Sequence, residues 1–362
     1  MSSAAFQKFT SDAISTSQRE KVIGNLWSNS QLGLNTLHTS STQSDNDKRY
    51  YYQLYNGVST NTGSLPQFTI AYCDSKGSGS STGSFGYDPL DYPTKALYSQ
   101  YRNLVGVSNQ SLFTFQNGET SEYVYVINIE RSRFKDALAN KTWQLSLAFI
   151  NATGSAKLGQ VIVSSSNKMV TLIDNSEQVS TELSTVGGTS YYVVSGSVEN
   201  GQKIGDNTPY GIVYPDLGII ILNGKACDAS MSFSTARTAA GAGSEFGGGA
   251  DNNFRFFTSI SGAMSLNPSN GSFKAQSLET FASTYYYVRL TNGSFNYSQN
   301  PSFYSGSSNE LRWPSMYNDP KVYVTTIGLF DDDYNLLAIA KLNEAIPKSF
   351  DKEVVMKIKL DY

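Results

Sequence analysis

Alternation of apolar and polar residues dominates this chain and predicts strands over most of its length. The final stretch, EVVMKIKLDY, places Met356 and Ile358 on one side and Lys357 on the other. A half-buried strand produces this alternation because successive side chains point to opposite faces of a sheet. Similar short runs recur earlier, separated by turn residues: EYVYVINI, WQLSLAFI, LGQVIVSS, KMVTLIDN, TSYYVVSGSV and YGIVYPDLGIIILNG. They predict a mainly β protein with antiparallel, sandwich-like packing over residues 50–362.

A few segments favour helix instead. YPTKALYSQYRNLV has a proline near its start and predicts a short helix over 93–104. Its apolar face would be formed by Leu97, Tyr101 and Leu104. RSRFKDALAN predicts a second short helix over 131–139. A weaker pattern in DAISTSQREKVIGNLW also fits a helix, with an apolar stripe formed by Ile14, Val22, Ile23, Leu26 and Trp27.

Composition shifts divide the chain into four parts. Residues 1–49 are predicted to form an extended N-terminal arm for assembly, because their second half is polar and low in complexity. Residues 50–228 form a β-rich domain with short helices, and residues 229–253 form a Gly-rich loop. Residues 254–362 form a C-terminal domain of β-hairpins, in which TYYYVRL and SFNYS would pair across an Asn-Gly turn.

The densest cluster of ionisable groups is Asp331, Asp332 and Asp333, in GLFDDDYNLLAIAKL. Aspartates favour turns because their side chains bond to nearby backbone N–H groups, so DDDYN predicts a hairpin loop between two strands. A divalent-cation site and acid–base chemistry are the alternatives. The segment lacks the order of acids, glycine and glutamate that an EF-hand calcium loop needs, and nothing in it would raise a carboxyl pKa.

Composition narrows the function classes. The net charge is -3 with a pI near 5.4, which argues against a nucleic-acid partner. Charged residues make up only 16% of the chain, whereas it has 24 Tyr and 19 Phe. A charge-poor, Tyr-rich surface suits large protein interfaces. No apolar run is long enough to span a membrane, and the N-terminus lacks the pattern of a signal peptide. We therefore expect synthesis in a cytoplasm.

Other candidate chemistry is weak. Cys73 and Cys227 are far apart and not in metal-ligand spacing, so we interpret them as buried thiols, with a disulfide left open. His38 lies in the polar arm and is expected to be solvated. GAGSEFGGGA lacks the Lys-Ser/Thr of a phosphate loop. Acidic residues that could form a glycosidase pair by type alone are Glu130, Asp136, Glu199 and Asp216. We expect no catalytic residue, cofactor or metal.

The C-terminal third carries a family resemblance. The segments YVRLTNGSFNYS, NPSF, DPKVYVTTIGL, LLAIAKL and KIKLDY resemble the C-terminal end of virion structural proteins of large contractile-tailed bacteriophages, including phages of marine cyanobacteria. YPTKALYSQYRNLV, YVINIERSRFKDAL, WQLSLA and YGIVYPDLGIIILNG are similar to other pieces of the same proteins, so the resemblance spans roughly residues 90–362. It implies a tail component of the virion, in or near the baseplate, and no catalytic residues.

Three function hypotheses follow from composition and resemblance. The first is a multi-copy structural subunit of a phage tail or baseplate whose partners are other virion subunits, with no nucleic acid and no membrane; a neck or collar component is its variant. The second is a receptor- or glycan-binding β-module of a phage fibre. The third is a glycan hydrolase. The segment NPSFYSGSSNELRWPSMYNDP combines aromatics with turn formers, and Trp and Arg are frequent at interface hot spots. Its predicted contact residues are Phe303, Tyr304, Arg312, Trp313 and Tyr317.

Overall fold

The computed structural model has a mainly β fold, which confirms the predicted fold class. It describes residues 8–39, 51–57, 65–77, 93–106, 112–149, 169–176, 183–185, 187–199, 201–202, 210–231, 252–266, 273–298, 300–306 and 310–361. Residues 1–7 and 40–49 of the predicted arm, the strand predicted at LGQVIVSS and most of the predicted Gly-rich loop lie outside these residues.

Within the described residues the chain forms strands β1 to β23 and helices α1 to α3. In chain order the strands are β1 (Ile14–Asn25), β2 (Gly33–Leu34), β3 (Leu37–Thr39), β4 (Tyr51–Asn56), β5 (Pro66–Asp74), β6 (Phe113–Thr114), β7 (Thr120–Ser121), β8 (Tyr123–Ile129), β9 (Ala137–Leu138), β10 (Gln144–Ala148), β11 (Met169–Asp174), β12 (Leu183–Thr185), β13 (Gly188–Ser197), β14 (Gly201–Gln202), β15 (Gly211–Tyr214), β16 (Ile219–Asn223), β17 (Phe273–Lys274), β18 (Gln276–Leu290), β19 (Tyr304–Ser305), β20 (Glu310–Leu311), β21 (Val322–Phe330), β22 (Leu336–Lys348) and β23 (Val354–Asp361). The helices are α1 (Pro93–Leu104), α2 (Gly224–Met231) and α3 (Asn252–Leu266). Single 3-10 turns cover Ser11–Ala13, Gln116–Gly118, Arg131–Arg133, Pro301–Phe303 and Pro314–Tyr317.

The chain divides into two compact units. The large unit is Val22–Glu279, and the small unit combines Met1–Lys21 with Thr280–Tyr362. The boundaries therefore fall inside β1 and inside β18, whereas the composition shifts had placed them at residues 50, 229 and 254. The first strand belongs with the C-terminal residues because it pairs with β18, a long-range contact that composition does not record.

The large unit is built on one curved sheet that nearly closes on itself. Its strand order is β2-β17-β10-β11-β13-β15-β16-β8-β5-β4-β3, with β12 and β14 also paired to β13. The two end strands, β2 and β3, are consecutive in the chain and separated only by residues 35–36. Three residue steps span at most about 11 Å, little more than two strand spacings. The ends of the sheet must therefore lie close together, which gives a barrel-like shape.

Both faces of the central strands are buried, which explains their near-continuous apolar sequences. In β8, Tyr125 and Ile127 belong to the interior core, whereas Val124 and Val126 pack on the opposite side with α1. Helix α3 contributes Phe256 to the interior core, with its ring 5.0 Å from that of Tyr125. Alternate side chains thus enter two separate cores, as the period-2 pattern requires.

Helix α1 confirms the prediction at 93–104 but not all of its predicted face. Tyr101 is buried and Leu97 is partly buried, whereas Leu104 is exposed. Tyr98 is buried instead, and its hydroxyl donates to the carbonyl of Ser121 at 2.7 Å. The tyrosines fill the interface because each can bury a ring while its hydroxyl keeps a partner.

The N-terminal helix prediction is wrong. Residues Ile14–Asn25 form strand β1, with Ile14, Val22 and Ile23 exposed and only Leu26 and Trp27 of the expected stripe buried. The segment is rich in Ser, Thr and β-branched residues, which favour strands over helices when a partner strand is present. That partner is β18, about 260 residues away along the chain.

The helix predicted at 131–139 is also wrong. Its residues form one 3-10 turn, Arg131–Arg133, followed by strand β9. The backbone N–H groups of Asp136 and Ala139 donate to carbonyls of β18, at 3.0 Å and 2.9 Å. Those bonds leave the segment unable to complete a helical ladder. Conversely, α3 was missed, because residues 252–266 had been assigned to the C-terminal hairpin domain and the Gly-rich loop.

Candidate interaction surface

The three aspartates form the loop of a hairpin, as predicted. Asp331 organises the loop: its carboxylate accepts the backbone N–H of Asn335 at 2.7 Å and the side-chain amide of Asn335 at 2.9 Å. These two bonds lower the pKa of Asp331. Tyr334 adopts a left-handed conformation with φ of 63°, which lets the chain reverse. Asp332 forms an exposed ion pair with Lys8 at 3.1 Å.

Among the described strands, β21 and β22 pair only with each other, as a two-stranded sheet. An isolated hairpin is marginally stable in water, so one face must pack on something. The inward face does so in the small unit, where it joins a core with Val288, Leu290, Met356 and Ile358 of β18 and β23. The hairpin contributes Leu329 together with the partly buried Val324, Ile327, Ala338, Ala340, Leu342 and Ile346. The small unit is therefore a small β-sandwich, as predicted for this region.

The outward face of the same hairpin is also apolar, which a solvent-facing strand does not require. Between 41% and 68% of each large side chain there is exposed. We call this set the hairpin patch: Tyr323, Phe330, Tyr334, Leu336, Leu337 and Ile339. The ring of Phe330 and a methyl of Leu336 lie over Gly328, where an added Cβ would be 2.8 Å and 3.3 Å from them. Ile339 pairs directly with Gly328 across the strands.

The other sheet of the small unit shows the ordinary arrangement. Its outward face is polar: Glu20 accepts from Lys359 at 2.7 Å and from the hydroxyl of Tyr285 at 2.9 Å. These bonds lower the pKa of Glu20, with Lys359 the larger cause. Lys359 also lies 3.2 Å from Asp361. The two outer faces of one sandwich thus differ in polarity, and the hairpin patch is the apolar one.

A buried lysine fastens the base of the hairpin. Lys348, the last residue of β22, is fully buried. Its ammonium donates to the carbonyl of Asn292 at 3.1 Å, to Oδ1 of Asn296 at 2.8 Å and to the carbonyl of Ser349 at 2.9 Å. All three N–H donors of the ammonium are therefore used. Burial lowers the pKa of Lys348 below its usual value.

These bonds occupy the segment that was expected to be a hairpin strand. After β18 the chain makes a turn at Thr291–Ser294, whose backbone groups bond at 3.1 Å, but SFNYS does not continue as a strand. Strand β18 pairs instead with β23, from Ser283 opposite Asp361 to Leu290 opposite Val354. The Asn-Gly turn was correctly placed, and its predicted strand partner was wrong.

The residues predicted to contact a partner occupy different environments. Phe303 is buried, and its carbonyl accepts the N–H of Arg312 at 3.2 Å. Tyr304 is partly buried and pairs with Leu311 in the short β19–β20 ladder. Arg312 is exposed, as are Trp313 at 58% and Tyr317 at 64%. Trp313 therefore does not cap its own core. Contact with a partner stays a prediction for these residues, and Phe303 would serve by supporting the loop.

The remaining candidates for chemistry have structural surroundings. Cys73 and Cys227 are free and buried, and burial raises the pKa of both thiols. The interpretation as buried thiols is confirmed. His38 is not a solvated arm residue: it lies in β3, stacks on Tyr55 and has Nδ1 3.0 Å from the carbonyl of Gly57. Because a carbonyl only accepts, Nδ1 carries the proton.

Of the acidic residues proposed by type, Glu199 and Asp216 have structural partners. Glu199 pairs with Lys274 at 3.2 Å, and Asp216 accepts the N–H of Thr189 at 3.2 Å in the turn between β15 and β16. Among the described residues, no group of three or more His, Cys, Asp or Glu side chains is placed to hold a metal ion. A cavity of about 320 Å³ lies beside β3 and α3. Its lining is Asn35, Thr36, Leu37, His38, Gly57, Ser261, Met264 and Ser265.

Comparisons with known proteins leave the chain without a named relative. No protein-family model matches it, no curated protein matches it, and no solved structure matches it. Among the helices of the described residues, none is long and apolar enough to cross a membrane.

Proposed function

We propose that this chain is a structural subunit of a contractile-tailed phage particle, in the tail or baseplate, that works by binding neighbouring subunits. The resemblance of its C-terminal third to virion proteins supports a location in the tail or baseplate. The mode of action rests on one observation, the apolar outward face of the β21–β22 hairpin.

In a subunit that functioned alone, this exposed apolar surface would lower the solubility. Large exposed apolar patches mark interaction sites in native proteins, and here the opposite face of the same sandwich shows that polar residues suit the fold equally well. The hairpin is also rigidly presented, because its inner face is packed and its base is fastened by Lys348. Rigid presentation reduces the ordering cost of association.

The test is to locate the chain in intact particles. We expect cryo-electron microscopy to place it in the tail or baseplate, and cross-linking to join Lys321 or Lys341, which flank the hairpin patch, to a neighbouring subunit. Absence of the chain from purified particles would refute the proposal. Density at the neck would support the collar variant instead.

The exposed Trp313 and Tyr317 favour glycan binding as a second candidate, because aromatic rings can pack on the apolar faces of sugars. It predicts binding to host surface glycans that is lost in Trp313→Ala with unchanged incorporation into particles. If Trp313→Ala binds such glycans as well as the wild type does, or if neither binds, this candidate is wrong.

A further inference from the structure

We infer that the hairpin patch binds the hairpin patch of a second copy of this chain, through a two-fold contact. The inference names a partner for the surface described above and rests on the proposed assembly role. Its elements are the area of the patch, its shape and the distribution of charge along the hairpin.

The area is sufficient for a specific contact. Taking about 200 Å² of accessible surface for each large side chain, the exposed fractions of the six patch residues amount to roughly 700 Å². A specific interface of standard size buries about 800 Å² on each partner. Two copies that covered each other's patches, with some surrounding polar surface, would therefore reach that size.

The shape suits an identical face. The patch lies on a two-stranded sheet in which the Phe330 ring and a methyl of Leu336 cover Gly328, with Ile339 on the facing strand. Sheets pack face to face by interdigitating such rows of side chains. An isologous contact requires a surface that is complementary to itself, and rows of apolar side chains on a sheet can interdigitate with an identical set.

Charge sets the orientation. The tip of the hairpin carries the exposed Asp333 beside the Asp332–Lys8 ion pair, whereas the exposed Lys341 lies opposite Thr326 and Lys321, before β21, pairs with Asp319 at 3.0 Å. A two-fold axis over the Gly328–Ile339 pair carries the acidic tip of one hairpin to the level between Lys321 and Lys341 of the other. Glu344 lies near the same level, in the stretch 342–345, which has no register partner in β21, and is a like charge there. The attraction that favours this orientation is therefore between Asp333 of each copy and Lys341 of the other, at both ends of the contact.

The first experiment measures self-association of the full chain by sedimentation, with matched variants. We expect a dimer that Ile339→Lys weakens by about tenfold or more, since a buried lysine without a partner costs at least this much. Val355→Lys is the control, because Val355 is similarly exposed, at 63%, on the polar sheet of the same unit. It should leave the dimer unchanged. Circular dichroism and thermal unfolding verify that both variants fold.

Charge reversal distinguishes a second copy from any other occupant. Asp333→Lys and Lys341→Asp should each weaken the dimer, and the double variant should restore it, because only a homotypic contact places one residue against the other. Ile339→Cys should form an intermolecular disulfide on mild oxidation, whereas Val355→Cys should not. The native Cys73 and Cys227 are buried and do not interfere.

A chain that stays monomeric, or a dimer insensitive to Ile339→Lys, would overturn the inference. If the chain is monomeric while Ile339→Lys removes it from particles, the patch binds a different subunit, and the proposed function stands without this partner. If the chain is absent from particles, the proposed function fails whatever the sedimentation result.

Discussion

Lys348 offers the sharpest test of the small unit, because a fully buried ammonium donates there to three neutral oxygens. The perturbation is Lys348→Met, which keeps the unbranched side chain as far as Cε and removes the ammonium with its charge and three donors. Of the three acceptors, the carbonyl of Asn292 also accepts the side-chain amide of Asn296 at 2.7 Å, and the carbonyl of Ser349 also accepts the N–H of Lys352 at 3.2 Å. The third acceptor is Oδ1 of Asn296, a residue that is only 1% exposed. No other donor to this oxygen is described, so it loses its hydrogen bond when Lys348 is replaced.

The magnitude follows from these partners. One buried amide oxygen left unsatisfied costs about 1–3 kcal/mol, and each bond to a charged donor contributes about 1.5–3 kcal/mol net. Removing the ammonium also removes its desolvation penalty, which is several kcal/mol. We therefore expect Lys348→Met to lower the free energy of unfolding of the small unit by about 2–4 kcal/mol.

A double-mutant cycle isolates the central bond. Asn296→Leu removes the acceptor, so the double variant should be more stable than the sum of the single effects predicts, by about 1–2 kcal/mol. The assay is urea unfolding followed by hydrogen exchange of β18 and β23, since the two units need not unfold together. If Lys348→Met changes the free energy of unfolding by less than about 0.5 kcal/mol, within the range of ordinary surface substitutions, the stabilising role of the Lys348 hydrogen bonds is refuted.

The pH dependence has a defined sign. The pKa of Lys348 in the folded state lies below its usual 10.5, so between the two values the unfolded state binds more protons. The contribution of Lys348 to stability is then fully present above pH 10.5 and is lost as pH falls through the folded pKa. Relative to Lys348→Met, the wild type should gain stability as pH rises in the alkaline range. A wild type that instead loses stability relative to the variant would contradict this sign.

Three further predictions concern other parts of the chain. Asp331→Ala should raise amide exchange in the β21–β22 hairpin several-fold, while Asp333→Ala should not, because only the first carboxylate accepts both Asn335 bonds; equal effects would contradict this. Gly211→Ala should destabilise the large unit by about 2 kcal/mol or more, since a Cβ there would collide with the carbonyl of Ile221, whereas Gly24→Ala, with open space around it, should be tolerated. Cys73 and Cys227 should not react with a thiol reagent until the chain unfolds, because both are buried with raised pKa values; rapid labelling of the native chain would argue against their burial.

Sequence reasoning succeeded where local pattern and tertiary burial agree. EYVYVINI and EVVMKIKLDY became β8 and β23, and DDDYN became a hairpin loop. It failed where the partner is distant. Strand β1 was taken for a helix because its pairing with β18 leaves no trace in a local window. SFNYS was assigned to a hairpin because an Asn-Gly turn does not reveal that Lys348 will hold the following residues.

The hairpin patch was missed for a different reason. LLAIAKL and VYVTTIGLF look like ordinary apolar strands, and a strand buried on both faces has the same composition as one that exposes an apolar face. Strands β8 and β22 are examples of these two cases. Every residue of β8 except Asn128 is buried, whereas Leu337 and Ile339 in β22 are exposed. Only the topology separates them, since β8 lies between β5 and β16, while β22 has one neighbour among the described strands and one packed face.

The difference between β8 and β22 suggests how the sequence of an assembly protein can specify an interface. If a partner covers the apolar outward face of β22, then β22 is buried on both faces, as β8 is, and this explains its apolar composition. The difference is that another chain covers the second face of β22, whereas a helix of the same chain covers that of β8. Substituting polar residues at Leu337 and Ile339 should consequently leave the fold of the isolated subunit unchanged, because its own core uses Ala338 and Ala340, whereas the same change at those inward positions should unfold the hairpin.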